Sequence, residues 1–290
     1  MKHAYLIIAH ADFQLLEVLV SALDDKRNDI FIHFDKKVTS LPSIKTEASP
    51  LYILENRIDV RWGDLSVVEA EYALFEQAIR KGKYAYYHLL SGVDLPLKSQ
   101  DFIHHFFEKH QRQEFIGFSS YKGWEKETDR KVRRYHLFAK EFRSNNFFIK
   151  LWRAGFLRLQ FLFGYRRSKD IDLRKGTQWI SITDDFVKYV LSQKEAVMRT
   201  YHYTFCCDEI ALQTLCWNSP FRDKIYDLTD EGQGCMRMIG WQDGQLFDWQ
   251  DKDFDKLMQS DALFARKFNS KNMGLVNKIK DSLWDDSYTE

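Results

Sequence analysis

Asp208 and Glu209 are adjacent carboxylates at the head of a segment, Asp208 to Trp217, in which Ile210, Leu212, Leu215 and Cys216 recur at helical spacing. A helix N-terminus stabilises negative charge, so such a pair suits two jobs: capping the helix, or taking a proton from an attacking hydroxyl. The residues alone read as caps of that helix, Asp208 first. A carboxylate working as a base must be ionised at neutral pH, which the helix dipole and nearby Lys or Arg favour. If the departing group were a diphosphate, positive charge would also be needed to meet it. A divalent ion held by an Asp-x-Asp run can supply that charge, and Asp170-Ile171-Asp172, Asp251-Lys252-Asp253 and Asp253-Phe254-Asp255 have the spacing. None directly follows a predicted buried strand, so they read as solvated loop and helix-start acids, and no metal is expected. Fixed cations must then serve, and Arg237 and Lys267 are the candidates.

Such side chains need strands and helices to aim them. Ala4 to Ala9 is a continuous apolar run, Phe13, Leu15, Leu16, Leu19, Val20 and Leu23 follow at helical spacing, and Ile30 to Phe34 forms a second strand before Asp35-Lys36-Lys37. That is one strand–helix–strand unit of a parallel sheet. Leu51 to Leu54 predicts a third strand, Leu65 to Ile79 a helix, and Tyr84 to Leu90 a fourth strand running into Ser91-Gly92-Val93-Asp94-Leu95-Pro96-Leu97. Ligands of open parallel sheets sit outside the carboxyl ends of the strands, so His10, Asp35 and the Ser91 to Leu97 turn are expected to share a crevice. Gly92 permits the tight turn and Pro96 stiffens it. Trp62-Gly63, ahead of the Leu65 helix, is assigned to the same pocket, whereas His33 is expected to be satisfied by backbone. Further strands are predicted at Phe115 to Phe118, at Thr177 to Ile182 with Trp179 on it, and at Met236 to Trp241, with helices at Asp184 to Ser192 and Asp253 to Ser260. The expected fold class is α/β, a mostly parallel central sheet flanked by helices. It is read as a single domain over 1–290, with a nucleotide-binding half at 1–118, a variable helical segment at 119–175 and an acceptor and catalytic half at 176–290.

The balance of 43 Lys plus Arg against 42 Asp plus Glu leaves a formal charge of +1, which excludes the strong basic field of a nucleic-acid binder. The 16% of aromatic residues suits an enzyme that stacks sugars or bases on flat rings, and suits an aromatic core equally well. No apolar run approaches the roughly 20 residues needed to span a bilayer, and the apolar start is too short for a secretory signal, so a cytoplasmic location is expected. Cys206, Cys207, Cys216 and Cys235 lack paired zinc spacing and read as buried, reduced side chains. From Phe147 to Phe163, Phe148, Ile149, Leu151, Trp152, Phe156, Leu159, Leu162 and Phe163 form one broad face, with Lys150, Arg153 and Arg158 on the other. Packing into the core is the first expectation for this helix; peripheral contact with an anionic membrane, beside a lipid-linked acceptor, is the second.

Six segments run almost end to end in one order: Ala4-Tyr5-Leu6-Ile7-Ile8-Ala9-His10, Phe31-Ile32-His33-Phe34-Asp35-Lys36-Lys37, Ser91 to Leu97, Gly176-Thr177-Gln178-Trp179, Asp208-Glu209, and Leu263-Phe264-Ala265-Arg266-Lys267-Phe268. Together they resemble the core-2/I-branching β-1,6-N-acetylglucosaminyltransferase family, which also contains protein xylosyltransferases. The resemblance implies a GT-A-like fold, a UDP-sugar donor that is a substrate and not a cofactor, and inverting transfer without a metal to a carbohydrate acceptor, in surface or exopolysaccharide synthesis. N-acetylglucosamine is the first expectation for the sugar, ahead of xylose, glucose and galactose. It also implies that Glu209 is the base, that Arg237 and Lys267 meet the diphosphate, that Asp35 lies near the uridine, and that Trp179 faces the acceptor. His10, Ser91 and Asp94 are expected on the donor side. The alternative is a non-catalytic carbohydrate-binding scaffold of the same fold, against which Glu209, Arg237 and Lys267 speak jointly. A nucleotidyltransferase is disfavoured because no GxxxxGK[ST] run follows the first strand.

Overall fold

The structure, a computed structural model, describes residues 1–242 and 244–283. The chain runs β1 (His3–Ala9), α1 (Phe13–Leu23), β2 (Asn28–Phe34), β3 (Leu51–Ile53), α2 (Ser66–Lys81), β4 (Tyr86–Ser91), β5 (Asp94–Pro96), α3 (Gln100–Lys109), α4 (Trp124–Val132), α5 (Phe147–Leu162), β6 (Ser181–Thr183), α6 (Asp184–Ser192), α7 (Lys194–Tyr201), α8 (Ala211–Trp217), α9 (Glu231–Cys235), β7 (Arg237–Ile239), the hairpin β8 (Trp241–Gln242) and β9 (Gln245–Leu246), α10 (Phe254–Met258), β10 (Phe264–Arg266) and α11 (Met273–Ser282).

β1 is buried along its whole length, as its unbroken apolar run requires of a central parallel strand. It sits in the middle of a sheet ordered β3-β2-β1-β4-β6, parallel except for the β4–β6 pair. Alternate residues feed two cores. Leu6, Ile8, Phe31 and Leu89 pack with α2, α6 and α8 on one face, and Tyr5, Ile7, Ile30 and Ile32 pack with α1, α3 and α11 on the other. A second sheet, β5-β10-β7, joins the latter core. The fold class is therefore α/β with a mostly parallel central sheet flanked by helices. All four cysteines are buried and free. No helix among the described residues is long and apolar enough to cross a membrane.

Several elements differ from the sequence expectation. Phe115 to Phe118 is no strand: Phe115 makes a single antiparallel bridge to Ser181. The strand expected at Thr177 to Ile182 shortens to β6, and Trp179 lies in the loop before it. The cause is local, since a Cβ on Gly176 would come within 1.9 Å of the Gly117 carbonyl oxygen. Two backbones touch there where side chains would alternate in a strand. The segment from Asp208 splits into a 3-10 turn, Cys207–Glu209, and α8, whose N-cap position is Ile210 with no side-chain cap. Asp208 is therefore not a helix cap. The helix expected from Phe147 forms, but it is not in the core: Phe147, Phe148, Leu151 and Trp152 are exposed.

Candidate active site

In the main sheet Ala9 lies opposite Phe34, and Ile8 opposite Ser91, so the carboxyl ends of β2, β1 and β4 stand side by side. His10, Asp35 and the turn after Ser91 consequently line one edge, and His10 is exposed there. Asp35 is buried; its Oδ1 accepts from the Lys37 backbone N–H at 2.9 Å and its Oδ2 from Lys37 Nζ at 2.6 Å. It ties its own turn while standing at the edge. His33 is buried in β2, where its Nε2 accepts from the Ile58 N–H at 2.9 Å.

The Ser91 turn is closed by Asp94. Ser91 Oγ donates to Asp94 Oδ1 at 2.5 Å and the Ser91 N–H to Oδ2 at 2.9 Å. Asp94 is buried, and burial raises its pKa against the opposing pull of Arg266. With both oxygens occupied, Asp94 shapes the turn. Gly92 approaches β1 closely: a Cβ there would sit 3.2 Å from that of Ala9.

β10 pairs antiparallel with β5 so that Arg266 faces Asp94, and the Phe268 N–H donates to the Val93 carbonyl at 3.0 Å. This brings Lys267 beside the Ser91 turn, its Nζ 3.4 Å from Asp248 Oδ1 and its side chain 36% exposed. Arg266 Nε is 3.7 Å from Asp94 Oδ1, and its guanidinium lies 4.2 Å over the Trp179 ring. The enclosed Nε makes no hydrogen bond, and burial lowers the Arg266 pKa.

Arg237 is elsewhere. It is 3% exposed, with Nη1 donating to the Cys235 carbonyl at 2.5 Å and Nη2 to the Ile180 carbonyl at 2.9 Å and Ser181 Oγ at 2.8 Å. Burial pulls its pKa down to about 10. Its register partner on β10 is Phe264, and the guanidinium lies 4.5 Å over that ring. The structure thus places Arg237, expected at the diphosphate, in contacts that tie β7 to the main sheet, and Arg266 is the arginine next to the Ser91–Asp94 turn. The signal for Arg266 was its place directly before Lys267.

The catalytic candidate occupies the 3-10 turn. The Glu209 side chain is 34% exposed, and Lys131 Nζ and Lys175 Nζ each lie 3.4 Å from its Oε2. Lys131 also pairs with Glu127 Oε1 at 2.7 Å, and Lys175 donates to the Tyr121 hydroxyl at 3.1 Å. Tyr121 in turn donates to Glu127. Burial works against the Lys175 ammonium, but the Glu209 and Glu127 carboxylates outweigh it and raise its pKa. The Gly176 N–H donates to the Glu209 carbonyl at 2.9 Å, which locks the turn to the loop carrying Lys175 and Trp179. Neither lysine was singled out from sequence. Lys175 directly precedes the Gly176-Thr177-Gln178-Trp179 segment, but nothing in the spacing ties Lys131 to a residue 78 positions away.

Asp208 faces inward beside Glu209. Its Oδ1 is enclosed without a partner, and burial, then the Glu209 charge, push its pKa up to about 7. Trp62 and Gly63 also reach this region, because the Cys206 N–H donates to the Gly63 carbonyl at 2.9 Å. Trp62 stands exposed with Phe142 at 5.2 Å and Phe205 at 5.5 Å between ring centroids. Among the Asp-x-Asp acids, Asp172 binds Arg174 at 2.5 Å and the Trp217 ring N–H at 2.8 Å, and Asp253 accepts from the Gln250 N–H at 3.0 Å. A cleft of about 410 Å³ lined by Asp24, Arg27, Ser99, Gln100, Phe102 and Leu283 lies at the amino ends of β1 and β2, away from all of these groups.

One end of the main sheet thus presents Asp35, the Ser91 turn and Lys267, and a carboxylate beside two lysines stands on the 3-10 turn. The family model described as Core-2/I-Branching enzyme matches residues 3–262, and the chain belongs to that family. No curated protein matches it. Among solved structures, the apo form of mouse xyloside xylosyltransferase 1 is similar at 9% identity and a TM-score of 0.34, over 94% of this chain and 99% of that one.

Proposed function

We propose that this glycosyltransferase moves a sugar from a UDP-sugar to a hydroxyl of a carbohydrate acceptor, free or lipid-linked, by inverting displacement without a metal ion. The observation that carries the reading is Glu209, accessible and flanked by Lys131 and Lys175 at 3.4 Å. In the reaction the acceptor hydroxyl gives its proton to Glu209 as its oxygen attacks the donor C1 from the side opposite UDP. The bond from C1 to the phosphate oxygen breaks, and UDP leaves with the electron pair. Lys267 and Arg266 are the fixed cations that offset the diphosphate charge. Asp35 and His10 serve the nucleotide, Ser91 the donor sugar through the turn that Asp94 holds, and Trp179 the acceptor side. N-acetylglucosamine is the proposed sugar and polysaccharide synthesis the proposed setting.

The test is UDP release over a panel of UDP-sugars, with UDP binding by calorimetry, each with and without EDTA. Both are expected to survive chelation, and Lys267→Ala should weaken UDP binding by about tenfold or more. Loss of affinity on chelation would return the charge to a divalent ion.

Asp208 adds a pH dependence. Its pKa near 7 means that a negative charge forms at Asp208, beside Glu209, as pH rises through neutrality, which favours transfer of the acceptor proton to this turn. kcat/KM should therefore climb through about pH 7, and Asp208→Asn should lack that inflection. The sign for stability is opposite. The folded pKa lies above the ordinary 3.8, so the contribution of Asp208 is full below that value and is lost as pH rises through about 7.

A further inference from the structure

α5 is built inside out. Its protein side carries Gln160, whose Oε1 accepts from the Tyr135 N–H at 2.8 Å while its Nε2 donates to the Tyr135 carbonyl at 2.9 Å. Arg153 lies on the same side, donating to the Phe142 carbonyl at 3.3 Å with its guanidinium 4.3 Å over the Phe142 ring. Gln160 is the one buried residue of the helix. The outward side carries Phe147, Phe148, Leu151, Trp152, Leu159 and Leu162, all at least half exposed, and Phe163 follows at 81%. None of these residues joins either hydrophobic core. A contiguous apolar surface turned outward on a helix whose one buried side chain is the polar Gln160 marks something that covers it.

The charge pattern selects what covers it. From Arg143 to Lys169 there are seven cations, Arg143, Lys150, Arg153, Arg158, Arg166, Arg167 and Lys169, and no acid. The cap of α5 is Asn146, and its first turn carries no carboxylate. Arg166 pairs with Asp129, while Arg143, Lys150, Arg158 and Lys169 are exposed and make no ion pair among the described residues. A second copy of the same face would set these cations against each other. An anionic bilayer surface satisfies both patterns, taking the aromatic and aliphatic side chains below the headgroups and the cations among the phosphates.

We infer that α5 docks this protein flat on a membrane surface rich in anionic lipid, with Phe147, Phe148, Leu151, Trp152, Leu159 and Leu162 entering the headgroup–acyl boundary. The docked face is linked to the catalytic turn. Phe142, gripped by Arg153, stacks on Phe205 at 4.3 Å, and Phe205 directly precedes the Cys206 that binds Gly63. Docking depends on none of the chemistry proposed above, so the two readings fail separately.

The experiment is flotation of the full chain with vesicles of phosphatidylcholine alone or with about one-third phosphatidylglycerol, at low and high salt. Binding is expected to the anionic vesicles at low salt, weaker at high salt, and far weaker to neutral vesicles. The double variant Phe148→Ser/Trp152→Ser should lower vesicle affinity by at least about tenfold, since each ring would otherwise leave water. Both positions are exposed, so Tm and UDP binding should stay at wild-type values, which excludes misfolding as the cause. Wild-type protein that stays unbound to anionic vesicles at both salts overturns the inference, as does a variant that floats equally well. A concentration-dependent dimer abolished by the same variant overturns it too, and assigns the face to a second copy.

Discussion

Glu209→Gln should lower kcat by roughly 10²- to 10⁴-fold while leaving UDP-sugar affinity nearly unchanged. The amide keeps the shape of the side chain but cannot take the acceptor proton, so the loss falls on the transition state and not on the ground state. The surroundings of Glu209 sharpen this expectation. Lys131 and Lys175 meet the same carboxylate oxygen at 3.4 Å, and both are themselves largely buried, so the carboxylate has fixed partners and a defined direction. On the proposed assignment donor affinity rests on Lys267 and the Ser91 turn, whereas the Glu209 carboxylate is held by Lys131 and Lys175. Steady-state kinetics with calorimetry on the same variant checks both halves of the statement. A Glu209→Gln enzyme with most of its turnover, next to a dead Asp208→Asn enzyme, would move the base by one residue. Asp208→Asn is an informative control because Asp208 caps no helix, so its loss reports the charge of the pair and not the start of α8.

What could be read in the chain before its structure was the part governed by continuous apolar runs. β1, β2 and β4 are buried along their whole length, and α1 and α2 carry a single apolar face, so periodicity alone located them and brought His10, Asp35 and Ser91 to one edge. The second sheet was not legible as such, because β5, β7 and β10 are three residues each and contribute too few side chains for a period to show. Trp179 was misplaced onto a strand because its segment has strand composition, yet the contact of Gly176 with Gly117 forces a loop. Lys131 and Lys175 escaped notice for another reason. They come from α4 and from the loop before β6, and only the packing of α4 against the Glu209 turn gives two ordinary lysines a shared partner. α5 was legible as a helix but not in its placement, since an apolar face in a sequence does not say whether it turns inward.

Arg237→Ala should cost about 3–5 kcal/mol of stability, the range for removing one member of a buried polar set. Arg237 is expected at the diphosphate from the resemblance, and its buried position has a physical cause. β7 pairs with β10 so that Arg237 faces Phe264, and an arginine at that register reaches the main sheet before it reaches solvent. Deleting it leaves the Cys235 carbonyl without its donor, takes one partner from the Ile180 carbonyl, which keeps the Leu89 N–H, and one from Ser181 Oγ, which keeps His88 Nδ1, and opens space against Phe264. Each buried acceptor left unpaired costs about 1–3 kcal/mol. Arg237→Met should recover only part of the loss, because methionine refills the volume and supplies no donor. Thermal unfolding should register the alanine variant as a fall in Tm of about 10 °C, with UDP affinity nearly intact wherever the protein stays folded. A diphosphate ligand would behave in the reverse way: the alanine variant would keep its Tm and lose UDP binding. That pattern would give the charge-meeting role back to Arg237 and take it from Arg266.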